Sequence, residues 1–235
     1  MSVYKLIKDE LKALGTTERA TVSLRYFKAG KGEYGEGDKF YGVTVPLQRQ
    51  VAKQYWKQAD RDDIIQLLDS PFHEARLTGI FIFVSKFNEA FKKGGGKEWV
   101  DLYLSKTDRV NNWDLVDSSA HLILGRWLED KDRKILYKRA KSKMLWENRI
   151  AVIATMHFIR NGTFDDTVAL CELLLKHPHD LIHKATGWML RETWQKDPVV
   201  TETFLDKHLK QMPRTMLRYA IEKMSPAKRK YYLGA

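Results

Sequence analysis

The sequence predicts an all-α fold, and three observations carry that prediction. Apolar residues recur with helical period through most of the chain. Helix boundaries are marked by capping residues, Pro and Gly, and no stretch alternates as a strand does. Related segments also recur. Arg76-Leu77-Thr78-Gly79, Arg149-Ile150-Ala151 and Lys184-Ala185-Thr186-Gly187 each set a basic residue ahead of small and apolar ones, and Asp117-Ser118-Ser119-Ala120 falls between them. Counted from 76, 117, 149 and 184, the steps are 41, 32 and 35 residues. Such spacing, with two helices per unit, suggests a HEAT-like α-solenoid: antiparallel helix pairs stacked into a curved superhelix over residues 1–235, as one domain.

The elements follow in order. Ser2 to Leu14 carries a stripe of Val3, Leu6, Ile7, Leu11 and Leu14. Thr16 or Thr17 caps a second helix bearing Ala20, Val22, Leu24, Tyr26 and Phe27. Residues 29–41 hold Gly30, Gly32, Gly35 and Gly37 among Lys and Glu. No strand precedes them and no Gly-Lys-Ser/Thr follows, so they read as a flexible surface loop and not as a phosphate cradle. Val45-Pro46 starts the next helix with Pro in its first turn. Further helices are expected over 60–68, 72–91 (closed by Gly94-Gly95-Gly96), 98–105, 113–129, 131–142, 145–159, 164–176, 179–195, 199–209 and 213–224.

Lys and Arg number 41 against 30 Asp and Glu, a net charge of +11. An excess that large repels itself unless an anionic partner uses it, and nucleic acid is the commonest such partner. With 43% hydrophobic and 30% charged residues the composition is that of a globular protein. The densest apolar run, Gly79 to Val84, is far too short to span a membrane. The first ten residues mix charges in a way foreign to a secretory signal. The single cysteine, Cys171, excludes an intrachain disulfide and a thiolate metal cluster. A cytoplasmic, monomeric protein without metal or cofactor is the expectation.

Asn111-Asn112-Trp113-Asp114-Leu115-Val116-Asp117-Ser118 opens the expected 113–129 helix. Trp113 and Asp117 are one turn apart and share a face. Asp114 and Asp117 break the apolar stripe: they either cap the first turn, where the helix dipole favours negative charge, or carry chemistry. Stacked repeats would gather Arg149, Lys184, Arg191, Arg218, Arg76 and Arg109 into a cationic trough suited to a duplex. Alternatively, single members of that set pair with carboxylates between repeats. His179 and His183 have a metal-compatible spacing but lack a third ligand. Trp99, Trp127, Trp146 and Trp194 read as packing residues.

Three motifs together resemble one family. Asn112-Trp113-Asp114-Leu115-Val116-Asp117-Ser118, Trp146-Glu147-Asn148-Arg149-Ile150-Ala151 and Lys184-Ala185-Thr186-Gly187-Trp188-Met189-Leu190-Arg191-Glu192, with Arg25-Tyr26-Phe27-Lys28 before them, are similar to the AlkD family of DNA alkylpurine glycosylases. The resemblance runs from the first helix to the last. It implies a HEAT-like fold that wraps duplex DNA and hydrolyses the N-glycosidic bond of cationic N3- or N7-alkylated purines without flipping the base. Residue by residue, it implies that Asp117 is the catalytic carboxylate, that Trp113 and Trp188 are the cleft tryptophans, and that Arg149 is a functional arginine. Tyr26 and Arg191 match positions that contact the DNA backbone. The Gly-rich insertion lengthens the loop before Phe40 and departs from the pattern.

The residue types suit that chemistry. An alkylated purine leaves neutral and needs no acid to protonate it; positive charge gathers on the deoxyribose instead. A carboxylate at C1′ stabilises that charge and orients water, with Asp114 a candidate to share the work. Indole faces add cation–π stabilisation. The other class open to this sequence is a non-catalytic HEAT-repeat scaffold for nucleic acid or protein. Such a scaffold has no need of a carboxylate that repels phosphate.

Overall fold

The structure, a computed structural model, describes residues 2–234. Among these the regular structure is helical, and no strand forms beyond an isolated bridge between Lys39 and Phe72. It divides into two compact units, 1–119 and 120–235.

The first unit contains α1 (Val3–Leu14), α2 (Thr17–Tyr26), α3 (Val45–Tyr55), α4 (Arg61–Leu68), α5 (His73–Lys92), α6 (Lys97–Ser105) and α7 (Trp113–Asp117). Its axis is the 20-residue α5, which is buried on nearly every side from His73 to Phe83 and packs against α1, α3, α4, α6 and α7. Helix ends follow the sequence signals. Ser2 and Thr16 cap α1 and α2 through their side chains, and Pro sits in the first turn of α3. Asp60 and Asp63 form a reciprocal capping box on α4, satisfying two backbone donors that the helix cannot. At Gly79 a Cβ would come 2.8 Å from Leu67 Cβ, so glycine lets α4 and α5 meet at backbone distance. In contrast, α2 buries none of its residues, and Val22, Leu24 and Tyr26 stand exposed.

The second unit holds a π-helical turn (His121–Gly125), α8 (Lys134–Ala140), α9 (Leu145–Ala154), α10 (Met156–Arg160), α11 (Asp165–Leu173), α12 (Asp180–Lys196), α13 (Pro198–His208), a 3-10 turn (Leu209–Gln211), α14 (Arg214–Ala220) and α15 (Pro226–Gly234). Here α12 is the hub, packed by α9, α10, α11, α13 and α14. Gly187 performs the service of Gly79: a Cβ there would lie 2.4 Å from the Met216 carbonyl oxygen of α14.

Four expectations are corrected. The helix expected over 113–129 stops at Asp117 and resumes as a π-turn. Ser119 causes part of the break, since its hydroxyl donates to the Leu115 carbonyl (2.6 Å) and also meets the Tyr103 hydroxyl (2.9 Å). Such insertions in helices are common at functional sites. The 145–159 helix is divided at Thr155, whose hydroxyl bonds back to Val152 O. The terminal helix α15 was not among the expected elements. Finally, the Gly-rich segment is anchored. Lys39 N donates to Pro71 O, His73 N donates to Lys39 O, and the Asp38 side chain is buried. Just beyond, the Glu74 carboxylate accepts the backbone N–H groups of Tyr41, Gly42 and Val43 at 3.0, 2.8 and 3.3 Å.

Candidate functional site

In the first unit the site candidates gather at α7. Asn112 caps that helix, its side-chain oxygen accepting from Trp113 N at 2.8 Å. The Trp113 ring lies nearly parallel to Phe27, with centroids 5.6 Å apart and planes 22° apart. Tyr26 meets it edge-on at 5.7 Å. Phe27 in turn lies over the His73 imidazole at 4.3 Å, and Phe40 runs parallel to Phe27 at 5.5 Å. An unbroken pile of rings therefore connects a buried histidine to a half-buried tryptophan.

The two carboxylates of α7 go opposite ways. Asp114 turns inward, 8% exposed, with one oxygen 2.8 Å from His73 Nε2 and the other accepting from Leu115 N. Asp117 stays half-buried, one turn beyond Trp113. Tyr26 is 61% exposed at the end of α2. Arg109 donates from Nε and Nη2 to the carbonyls of Leu68, Asp69 and Ser70 at the end of α4. Arg76, expected in a cationic trough, is corrected: it is buried and binds Asp38 (2.6 Å) and the Ser70 carbonyl (3.0 Å). The cause is the inward turn of the loop, which brings a buried carboxylate that only a buried cation can balance.

His73 sits at the centre of this ionic core. Its Nδ1 lies 3.1 Å from Asp38 Oδ2, its Nε2 faces Asp114, and Arg76 completes two cations against two anions. Burial alone would discharge the imidazole, but the Asp114 and Asp38 carboxylates override it and raise the pKa to about 9. Burial likewise opposes charge on Asp38, and His73 and Arg76 together hold its carboxyl below the usual range.

In the second unit α12 presents Lys184, Trp188 and Arg191 at i, i+4 and i+7, on one face. The Trp188 indole N–H donates to Glu192 (2.9 Å). Arg191 spans Glu192 (3.1 Å) and Glu222 (2.6 Å), and Lys184 pairs with Asp180 (2.7 Å). Arg149 lies under this helix, 5% exposed, and donates to Leu181 O at 2.7 Å. Arg218 is exposed on α14.

His179 and His183 act locally. The first accepts from Leu181 N at the start of α12, and the second bonds to the His177 carbonyl. Among the described residues no group of three His, Cys, Asp or Glu side chains is arranged for a metal ion, and no helix is long and apolar enough to cross a membrane. Trp146 is buried, Trp99 meets Phe83 edge-on, Trp194 donates to Glu202, and Trp127 lies under the Lys131 ammonium.

The model of one family, described as DNA alkylation repair enzyme, matches residues 7–224. The chain belongs to the DNA alkylation repair enzyme family. Membership assigns it to the repair of alkylated DNA. A solved structure, the predicted DNA alkylation repair enzyme from Enterococcus faecalis, superposes with a TM-score of 0.71 over 90% of this chain and 97% of its own, at 16% identity. At that identity the likeness is one of fold, and it is all-α on both sides. A search of curated proteins finds no match. For this DNA alkylation repair enzyme, the residues that sequence reasoning missed are His73 and Asp38. His73 follows an ordinary Ser-Pro-Phe helix start and Asp38 sits in a Gly-rich run, 35 residues away. No local pattern marks either one, and only burial reveals the pair.

Proposed function

We propose that the protein is a glycosylase that hydrolyses the N-glycosidic bond of positively charged N3- or N7-alkylated purines, such as 3-methyladenine and 7-methylguanine, in duplex DNA. In this reading it begins base excision repair and leaves the damaged base unflipped. One observation supports the reading: of the two carboxylates on α7, Asp114 is turned into the core against His73, while Asp117, half-buried, stands one helical turn beyond Trp113 on the same face. A helix that needed only negative charge at its first turn would be served by Asp114 alone.

The chemistry then runs as follows. The bond from C1′ to the purine nitrogen breaks with its electron pair moving to the ring, which neutralises the alkylated base. The sugar is left as an oxocarbenium ion. The Asp117 carboxylate stabilises that cation and receives the proton of the water that adds at C1′. Trp113 offers its π face to the developing charge, and the resemblance assigns Trp188 the same part. Tyr26, Lys184, Arg191, Arg109 and Arg218 serve the DNA backbone, and Arg149 holds the first turn of α12, from which Lys184 and Trp188 project. Selectivity comes largely from the substrate, because a neutral purine departs far less readily.

The test is release of methylated base from a methylated duplex by purified protein. Wild type should release 7-methylguanine or 3-methyladenine, and Asp117→Asn should lose about 10²–10³ in rate, the effect of removing one electrostatic stabiliser. Equal release by the two would return the chain to the non-catalytic scaffold reading.

A further inference from the structure

The geometry at the base of α7 points to a residue outside the family's motifs. Both nitrogens of His73 lie within hydrogen-bond distance of carboxylate oxygens, Nδ1 of Asp38 and Nε2 of Asp114. A neutral imidazole has one N–H and can donate to one carboxylate only; serving both requires the imidazolium. The charged groups facing the ring are Asp38 from the loop and Asp114 from α7, with Arg76 from its own helix bound to Asp38. Phe27 lies over it at 4.3 Å, tilted by 31°, and Phe40 stacks on it at 5.3 Å with the planes 25° apart. Phe27 then passes the alignment to Trp113.

We propose that His73 is a positioning residue for the reaction: as an imidazolium it ties the Gly-rich loop to the start of α7 and sets the plane of Phe27, and through these two contacts it fixes Trp113 and the helix turn that presents Asp117. The activity readout rests on the glycosylase reading; the placement of Trp113 does not. Asp38 retains Arg76 when the imidazolium is lost, so the uncompensated charge falls on Asp114, the residue bonded into α7. Loss of the cation is therefore felt at α7 first. The pKa of about 9 keeps the ring charged at neutral pH.

The experiment uses full-length protein labelled with fluorotryptophan, comparing wild type, His73→Gln, and His73→Gln combined with Asp114→Asn. A glutamine donates to one carboxylate and carries no charge, and the second substitution removes the anion left unbalanced. In His73→Gln the Trp113 fluorine signal should shift or broaden, and the single-turnover rate should fall on the order of tenfold to a hundredfold with folding retained. The double variant should recover much of both. In wild type the same signal should move as pH passes about 9, and His73→Gln should lack that step. An unmoved Trp113 signal in His73→Gln overturns the proposal whether or not the protein releases base. A shifted signal in a protein that releases no base supports the positioning role and rejects the glycosylase reading alone. If His73→Gln does not fold, nitrogen NMR of wild type decides: a doubly protonated His73 near neutral pH upholds the proposal, and a neutral ring overturns it.

Discussion

Nε2 of His73 lies 2.8 Å from Oδ2 of Asp114, the residue that directly follows Trp113 in the chain. That contact divides the work of α7. Asp114 belongs to the interior of the first unit, and its neighbour three positions on stays half-buried. The two carboxylates therefore differ in what their removal should do. Asp114→Asn keeps the shape but removes the anion of a buried charged hydrogen bond, which should cost about 2 kcal/mol of stability. Asp117→Asn should remove base release while the protein stays folded. Calorimetry and the release assay on both variants check this, and a melting temperature for Asp114→Asn equal to wild type would count against the assignment.

Stability should depend on pH through His73. Its folded pKa, about 9, lies above its ordinary 6.5, so the stabilisation it contributes is complete below pH 6.5 and is lost as pH rises through 9. For this fully buried group the contribution is roughly 3 kcal/mol. Asp38 acts in the opposite direction: its lowered pKa gives stability above the usual carboxylate range that is lost as pH falls through its folded value. Denaturation midpoints followed from neutral to alkaline pH should decline across that interval in wild type. The decline should be much smaller in His73→Gln.

The parts of this fold legible in the sequence are those fixed by near neighbours. Ser2, Thr16 and Asp60 announce helix starts because each accepts from a backbone donor within its own turn, and Pro46 because its missing N–H costs nothing in a first turn. Trp113 and Asp117 could be put on one face because helix geometry depends only on spacing. The break at Ser119 could not, because the hydroxyl that takes the Leu115 carbonyl is also held by Tyr103, sixteen residues earlier. For the same reason Arg76 read as one more groove cation: its anion lies 38 residues away in a loop that looked solvated. Arg149 follows suit, since the carbonyl that takes its guanidinium belongs to another helix.

The ring pile gives Trp113 a measurable role distinct from that of Asp117. Trp113→Ala removes both the indole face and the outer layer covering Phe27. It should slow base release by an amount equivalent to about 0.5–2 kcal/mol from the lost cation–π contact, and it should also lower the melting temperature. Trp113→Phe should keep more of both. Trp188→Ala should slow release by a similar factor. If neither tryptophan variant changes the rate constant under single-turnover conditions, the indoles have no part in stabilising the sugar cation.

The arginines separate into a buried one and an exposed one, and salt titration should tell them apart. Arg149→Ala removes the guanidinium bonded to the Leu181 carbonyl and opens a gap beneath α12, which should cost about 1–3 kcal/mol of stability. Its effect on DNA should come through displaced Lys184 and Trp188, so the affinity should fall with little change in salt dependence. Arg218 is exposed, and Arg218→Gln should leave the melting temperature alone. If it meets one phosphate, the slope of log affinity against log salt should become shallower by about 0.9. Duplex binding measured across a salt series for both variants tests the division. An unchanged slope for Arg218→Gln would remove it from the DNA-contacting set, whereas a shallower slope for Arg149→Ala would mean that the buried guanidinium reaches phosphate after all.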